Sequence, residues 1–201
     1  MERYNLASIT KKVYDSGVSF FTLKTLRDIL EISKESTLFS IVKKLIKAKV
    51  LLKIEKDKYL LKGREVSDFA LANFIYQLSY VSFESALNFY GILSQFPYEI
   101  SSTTARKSVK KVFQDKIFVY THIKKELFWG YEKKENFLIA LPEKALLDQV
   151  YLMGKGYKSI SLDEYDLSRI KVSRLKEYLS KYPKTRQFKS AVKLLKKYLH
   201  I

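Results

Sequence analysis

Residues 22–62 read TLKTLRDILEISKESTLFSIVKKLIKAKVLLKIEKDKYLLK, and the change of period along this stretch decides the fold. Thr22 can cap a helix with its hydroxyl oxygen, after which Leu23, Leu26, Ile29 and Leu30 share one face. Glu31-Ile32-Ser33 ends that helix. A second begins near Ser33 and carries Leu38, Ile41, Val42, Leu45 and Ile46 inward, leaving Glu35, Ser36, Thr37, Ser40, Lys43, Lys44 and Lys47 outside. Beyond Lys49 the pattern turns strand-like, with residues 50–54, a charged turn Glu55-Lys56-Asp57-Lys58, and residues 59–63. Two short helices, a tight connection and a basic hairpin are the pattern of a winged helix-turn-helix.

In that pattern the outer face of the second helix suits the major groove of duplex DNA. Ser36, Thr37 and Ser40 are placed to approach base edges, while Lys43, Lys44 and Lys47 further along can neutralise phosphates. Thr22 and Lys34 at the helix starts, and Lys56 and Lys58 in the hairpin, are further candidates for DNA contact. Lysines alternating with apolar residues are ordinarily a solvated helix face. Here helix order, hairpin and charge point the same way, and that agreement favours double-stranded DNA.

Charge is uneven along the chain. Residues 1–66 hold fifteen Lys and Arg against eight Asp and Glu, residues 67–168 twelve against twelve, and residues 169–201 eleven against one. Basic ends attract polyanions by counterion release, a salt-dependent term indifferent to sequence. No apolar run approaches the roughly 18 to 20 residues needed to span a bilayer, so nucleic acid is favoured over membrane. A basic amphipathic tail on a membrane surface is the lesser alternative. The chain has no cysteine, which excludes disulfides and thiolate metal sites. Met1-Glu2-Arg3-Tyr4 lacks the basic-then-apolar order of a secretory signal, so a cytoplasmic location is expected.

Two domains are expected, residues 1–66 and 67–201. Ahead of the helix pair, Leu6, Ile9, Val13 and Tyr14 repeat at helical spacing and Gly17 sits where that helix should stop. The polar run of residues 63–68 marks the boundary. Helices are expected over 68–78 and 83–90, the latter ending at Gly91. The β-branched and aromatic runs at 98–104, 112–113, 117–123, 127–131 and 137–140 then predict an antiparallel sheet of about three to five strands. Pro142 opens a helix through Leu152. Gly154 and Gly156 mark a loop, and two amphipathic helices follow, one carrying Val172, Leu175 and Leu179, the other Phe188, Ala191, Val192, Leu195 and Leu199. The fold class read here is α+β: a winged helix-turn-helix, then a mixed α/β domain with an antiparallel sheet and a helical basic tail.

Residue types argue against catalysis. His122 and His200 have no metal-ligand spacing around them, and no glycine loop of the phosphate-binding kind occurs. Glu143 and Asp148 stand five apart on one helix, too far round to pair, and read as a first-turn charge and an outward polar residue. Glu143-Lys144 suggests a nuclease carboxylate–lysine site but lacks the acidic partners a divalent ion requires. No catalytic residue, cofactor or metal is expected. Among the aromatics, Phe83, Phe89, Tyr90, Phe118, Tyr120, Phe128, Trp129 and Tyr131 read mostly as core, with a minority open to protein docking.

Three stretches carry a resemblance. Residues 80–91 (YVSFESALNFYG), 99–104 (EISSTT) and 139–148 (IALPEKALLD) resemble the AbiEi family of antitoxins, in which a winged helix precedes an antitoxin domain. The resemblance covers nearly the whole chain in the expected order. It implies a type IV toxin-antitoxin pair, with a nucleotidyltransferase-like toxin as partner and repression of the chain's own operon through inverted repeats. It carries over no catalytic residue. The motifs read as structural, with Ala86, Leu87, Ala145, Leu146 and Leu147 packing helices and Gly91 capping one. The basic tail, including Arg174, Lys176, Lys181, Lys184, Arg186, Lys189, Lys193, Lys196 and Lys197, fits added DNA contact or an acidic partner surface. The alternatives are a stand-alone winged-helix transcriptional regulator whose second domain senses or oligomerises, and an interaction module whose basic ends keep it soluble.

Overall fold

The computed structural model describes residues 5–157 and 161–199. It is a mixed α+β structure that divides into two compact units, Met1–Ser67 and Asp68–Ile201.

The first unit contains α1 (Leu6–Asp15), β1 (Phe20–Thr22), α2 (Leu23–Leu30), α3 (Glu35–Lys47), β2 (Leu51–Glu55) and β3 (Lys58–Leu61). The three strands form an antiparallel sheet in the order β1-β3-β2. Strand β1 was not legible in the sequence, because Phe20-Phe21-Thr22 is too short to show alternation. Thr22 ends it and caps α2, its hydroxyl accepting from the Thr25 amide at 3.1 Å. Glu31 then takes a left-handed conformation (φ 55°), and Ile32 turns into the core behind it. Helix α3 starts at Glu35, two residues later than the sequence reading, since Lys34 is still extended. Val13, Phe21, Leu26, Leu38, Ile41, Val42, Leu45, Leu51 and Leu61 close the core.

The second unit runs α4 (Asp68–Ile75), β4 (Ser79–Val81), α5 (Phe83–Phe89), β5 (Ile100–Thr104), β6 (Val109–Phe113), β7 (Lys116–His122), β8 (Tyr131–Lys134), β9 (Phe137–Ala140), α6 (Pro142–Gly154), α7 (Val172–Ser180) and α8 (Arg186–Leu199). Its six-stranded sheet has the order β6-β7-β5-β4-β9-β8. The expected antiparallel pairing holds for β4–β5, β6–β7 and β8–β9, but β5–β7 and β4–β9 are parallel. Ser79–Val81, where no strand was expected, form β4, one of the four interior strands (β7, β5, β4 and β9) that each pair in parallel on one side and antiparallel on the other. Residues 127–130, read as strand, lie in a 3-10 turn and a loop, and β8 begins only at Tyr131.

Helix α6 is buried from Glu143 to Leu152 on every side. Helix α5 and the sheet cover one side, and α7 and α8 pack on the others. This overturns the outward placement of Asp148: it is fully buried, as are Lys144 and nearly so Glu143 and Gln149. The amphipathic helices of the tail need an apolar surface, and α6 supplies it. At Gly154 a Cβ would come within 3.1 Å of the Phe188 Cα, so a larger residue there requires the α8 backbone to shift by a few tenths of an ångström.

Substituting Thr22→Ala should lower the unfolding free energy by about 1 kcal/mol, with Thr22→Ser nearly neutral, in urea denaturation of the whole chain. An unchanged midpoint for the alanine variant would remove the capping role.

Candidate nucleic-acid interface and a buried charge network

The site residues of the first unit follow from how α3 is held. Leu38, Ile41, Val42 and Leu45 are buried, which fixes the rotation of the helix about its axis. At 100° per residue, Ser36, Ser40, Lys43 and Lys47 then fall within an arc of about 60° on the opposite side. All four are exposed. Thr37 (half-buried) and Lys44 (exposed) flank that row on one side, and Phe39, 41% exposed, on the other. Lys34 is exposed at the start of the helix and Lys56 is exposed in the β2–β3 turn. Among the candidates, α3 therefore brings together Ser36, Ser40, Lys43 and Lys47.

Thr22 and Lys58 lie elsewhere. They are register partners on β1 and β3 and do not belong to the α3 row. The Thr22 hydroxyl is occupied by the Thr25 amide and shares a 2.9 Å hydrogen bond with the Thr25 hydroxyl. Lys58 donates to Glu55 at 2.7 Å. His122 is exposed, with Nδ1 2.9 Å from the Arg106 carbonyl oxygen, and His200 lies outside the described residues.

The second unit holds a polar cluster that sequence reasoning missed. Asp148 on α6 is fully buried, and its two oxygens accept from five side-chain donors. One oxygen takes the hydroxyls of Tyr80 (3.1 Å), Ser82 (2.9 Å) and, at the limit of 3.4 Å, Thr103. The other takes the Tyr182 hydroxyl at 2.9 Å and the Lys144 ammonium one turn earlier on α6. Lys144 also donates to the Tyr182 oxygen at 3.0 Å. The ammonium lies 5.1, 5.3 and 5.6 Å from the ring centres of Trp129, Tyr182 and Tyr80. Gly130, at φ 74°, covers the lysine stem so closely that a Cβ there would meet Lys144 Cγ at 3.0 Å.

The surroundings set the protonation of this cluster. Burial pushes Lys144 below the ordinary lysine value, with the Asp148 carboxylate opposing the shift. Tyr80 and Tyr182 are held well above the ordinary phenol value, first by burial and then by the same carboxylate. Nearby, Glu143 accepts from the Lys171 amide at 2.9 Å and from Arg174 at 3.4 Å, tying the start of α6 to α7. The Gln149 amide donates to Glu84 and Tyr165, both at 2.9 Å.

The three stretches that carry the resemblance thus meet at one point. Tyr80 and Ser82 come from the first, Thr103 from the second, and Lys144 and Asp148 from the third. A signal for this was present: Lys144 and Asp148 are opposite charges at i, i+4, a spacing that faces them together. Reading Glu143 with Asp148 chose the wrong pair. The cluster is sealed from solvent, so its chemistry is that of a neutralised internal charge and not of a substrate site. Among the described residues no group of histidine, cysteine and carboxylate side chains could hold a metal, and no helix is long and apolar enough to cross a membrane.

Two stability effects follow. Asp148→Ala leaves the Lys144 ammonium buried without its carboxylate and should cost about 3–5 kcal/mol in chemical unfolding, with adding Lys144→Met recovering the part due to the stranded ammonium. Equal losses for the single and double variants would contradict the pairing. In alkali the sign is set by the tyrosines: with folded values above the ordinary 10.0, Tyr80 and Tyr182 keep protons that the unfolded chain loses, so stability falls as pH rises above that point. Lys144 works the other way just below 10.5, where the unfolded chain binds the proton better, but it is one group against two. Tyr182→Phe should make the decline above pH 10.0 shallower in unfolding curves measured across pH.

No protein-family model matches the sequence, and no curated protein is detectably similar to it.

Proposed function

We propose that the chain is a DNA-binding antitoxin of the AbiEi kind, which represses its own operon and counteracts a nucleotidyltransferase-like toxin. In this reading the first unit is a winged helix-turn-helix: α2 and α3 are the helix pair, α3 enters the major groove of an operator built on inverted repeats, and the β2–β3 hairpin is the wing. The observation that carries it is the row Ser36, Ser40, Lys43 and Lys47, exposed along one side of a helix whose other side is locked in the core. Hydroxyls early in the row suit base edges, and the lysines that follow suit phosphates. Lys34 and Lys56 add charge near the helix start and at the hairpin tip.

The Thr22 and Lys58 side chains already have partners within the unit, so the reading rests on α3 and Lys56. For the second unit, support comes from the resemblance and from the meeting of its three stretches around Asp148. Motifs converging on a sealed ion pair suit a body that holds a fold, in keeping with a protein that opposes an enzyme without being one.

The experiment is a binding titration on the promoter segment upstream of the chain's own gene, repeated at several salt concentrations. Affinity should fall steeply with salt, and Lys43→Ala and Lys47→Ala should each reduce the slope by about one unit. Ser36→Ala with Ser40→Ala should relax sequence preference while leaving the slope in place. A flat salt response in the parent chain would refute the DNA reading. The antitoxin role is tested separately: co-expression should relieve the growth arrest caused by a neighbouring nucleotidyltransferase-like toxin, and persistent arrest would refute it.

A further inference from the structure

Helices α7 and α8 border an apolar groove of about 430 Å³ with a basic rim. Tyr182, Phe188 and Val192 contribute to its apolar lining, and Lys184, Lys189, Lys193 and Lys196 stand around it. Tyr182 and Phe188 are stacked, with ring centres 5.2 Å apart and planes 14° from parallel. Tyr182 is further pinned through its hydroxyl to Asp148. Among the described residues no carboxylate lines the groove, and residues 172–199 hold nine Lys and Arg against Glu177, which Lys181 already engages at 3.0 Å.

The chemistry of rim and lining selects the occupant. Lys189, Lys193 and Lys196 repeat at i, i+4 and i+7, a row of about 10.5 Å along α8. A helix laid beside that row would present carboxylates at the same repeat and apolar side chains to the groove. Duplex DNA offers phosphates without an apolar ridge, and a bilayer surface takes a convex apolar face, whereas the apolar surface here is recessed among lysines. We propose that this groove docks an acidic amphipathic helix of a partner protein. The groove lies wholly in the second unit, so the inference is independent of DNA binding by the first.

The chain carries its own reporter. Trp129 is its single tryptophan and packs edge-on against Tyr182, ring centres 5.9 Å apart. The test titrates the full chain with a synthetic helical peptide bearing leucines at i, i+3, i+4 and i+7 between flanking glutamates, followed by Trp129 fluorescence. Saturable binding is expected, weakened at least about tenfold by Lys189→Glu with Lys193→Glu, a variant whose thermal unfolding is checked in parallel. The same peptide with lysines in place of glutamates should prefer that variant over the parent chain. The proposal is overturned if the acidic peptide binds no better than its scrambled sequence or the charge swap reverses nothing. It is equally overturned if phosphatidylglycerol vesicles or a short DNA duplex displace the peptide from the groove.

Discussion

Burying one side of a helix fixes what its other sides must do, and this constraint shapes both units. Helix α3 buries Leu38, Ile41, Val42 and Leu45, so Ser36, Ser40, Lys43 and Lys47 have nowhere to go but outward. Helix α6 is enclosed all round, so its charges have no outward side and must be neutralised within. The first helix is left with a polar row free for a partner. The second is left with Lys144 and Asp148 facing each other inside a ring of tyrosine and tryptophan.

The Asp148 cluster is costly to bury and useful for registry. A carboxylate taken out of water loses several kcal/mol of solvation unless donors replace the lost water, and here five side chains do so. Those donors come from β4, the start of α5, β5, α6 and the segment after α7, so one charge specifies how separate pieces of the unit meet. Replacement by apolar side chains can match such a pair in stability but does not reproduce this directional requirement. The strand-to-helix step beside it is tight as well: Phe83, buried and bulky, is held at φ 54°, directly after the Ser82 that donates to Asp148.

Much of this was legible from local pattern, and what was missed was non-local. Thr22 as a cap, the inward set of α3, the hairpin centred on Lys56-Asp57 and the two tail helices each follow from spacing within a dozen residues. Strand β1 is three residues long and exists because β3 pairs with it. The parallel pairings of β5 with β7 and of β4 with β9 depend on chain crossovers that strand composition does not encode. Asp148 read as outward because polar residues on helices usually are. Its burial is decided by partners far away in sequence, Tyr80, Ser82 and Thr103 more than forty residues earlier and Tyr182 more than thirty later. Thr22 and Lys58, plausible contacts by type and position, are engaged by near neighbours in sequence, Thr25 and Glu55, so the cap and the hairpin turn compete with DNA for the same groups.

The central claim is that the outward row of α3 is the surface that meets duplex DNA. Backbone amide shifts of the isotopically labelled full chain, followed while a duplex selected from a random-sequence pool is added, test it most directly. The claim predicts that the largest changes cluster on Ser36, Ser40, Lys43 and Lys47 and at the hairpin tip around Lys56, with the buried α6 amides unmoved. Changes confined to the basic tail, or spread evenly over the surface, would contradict it.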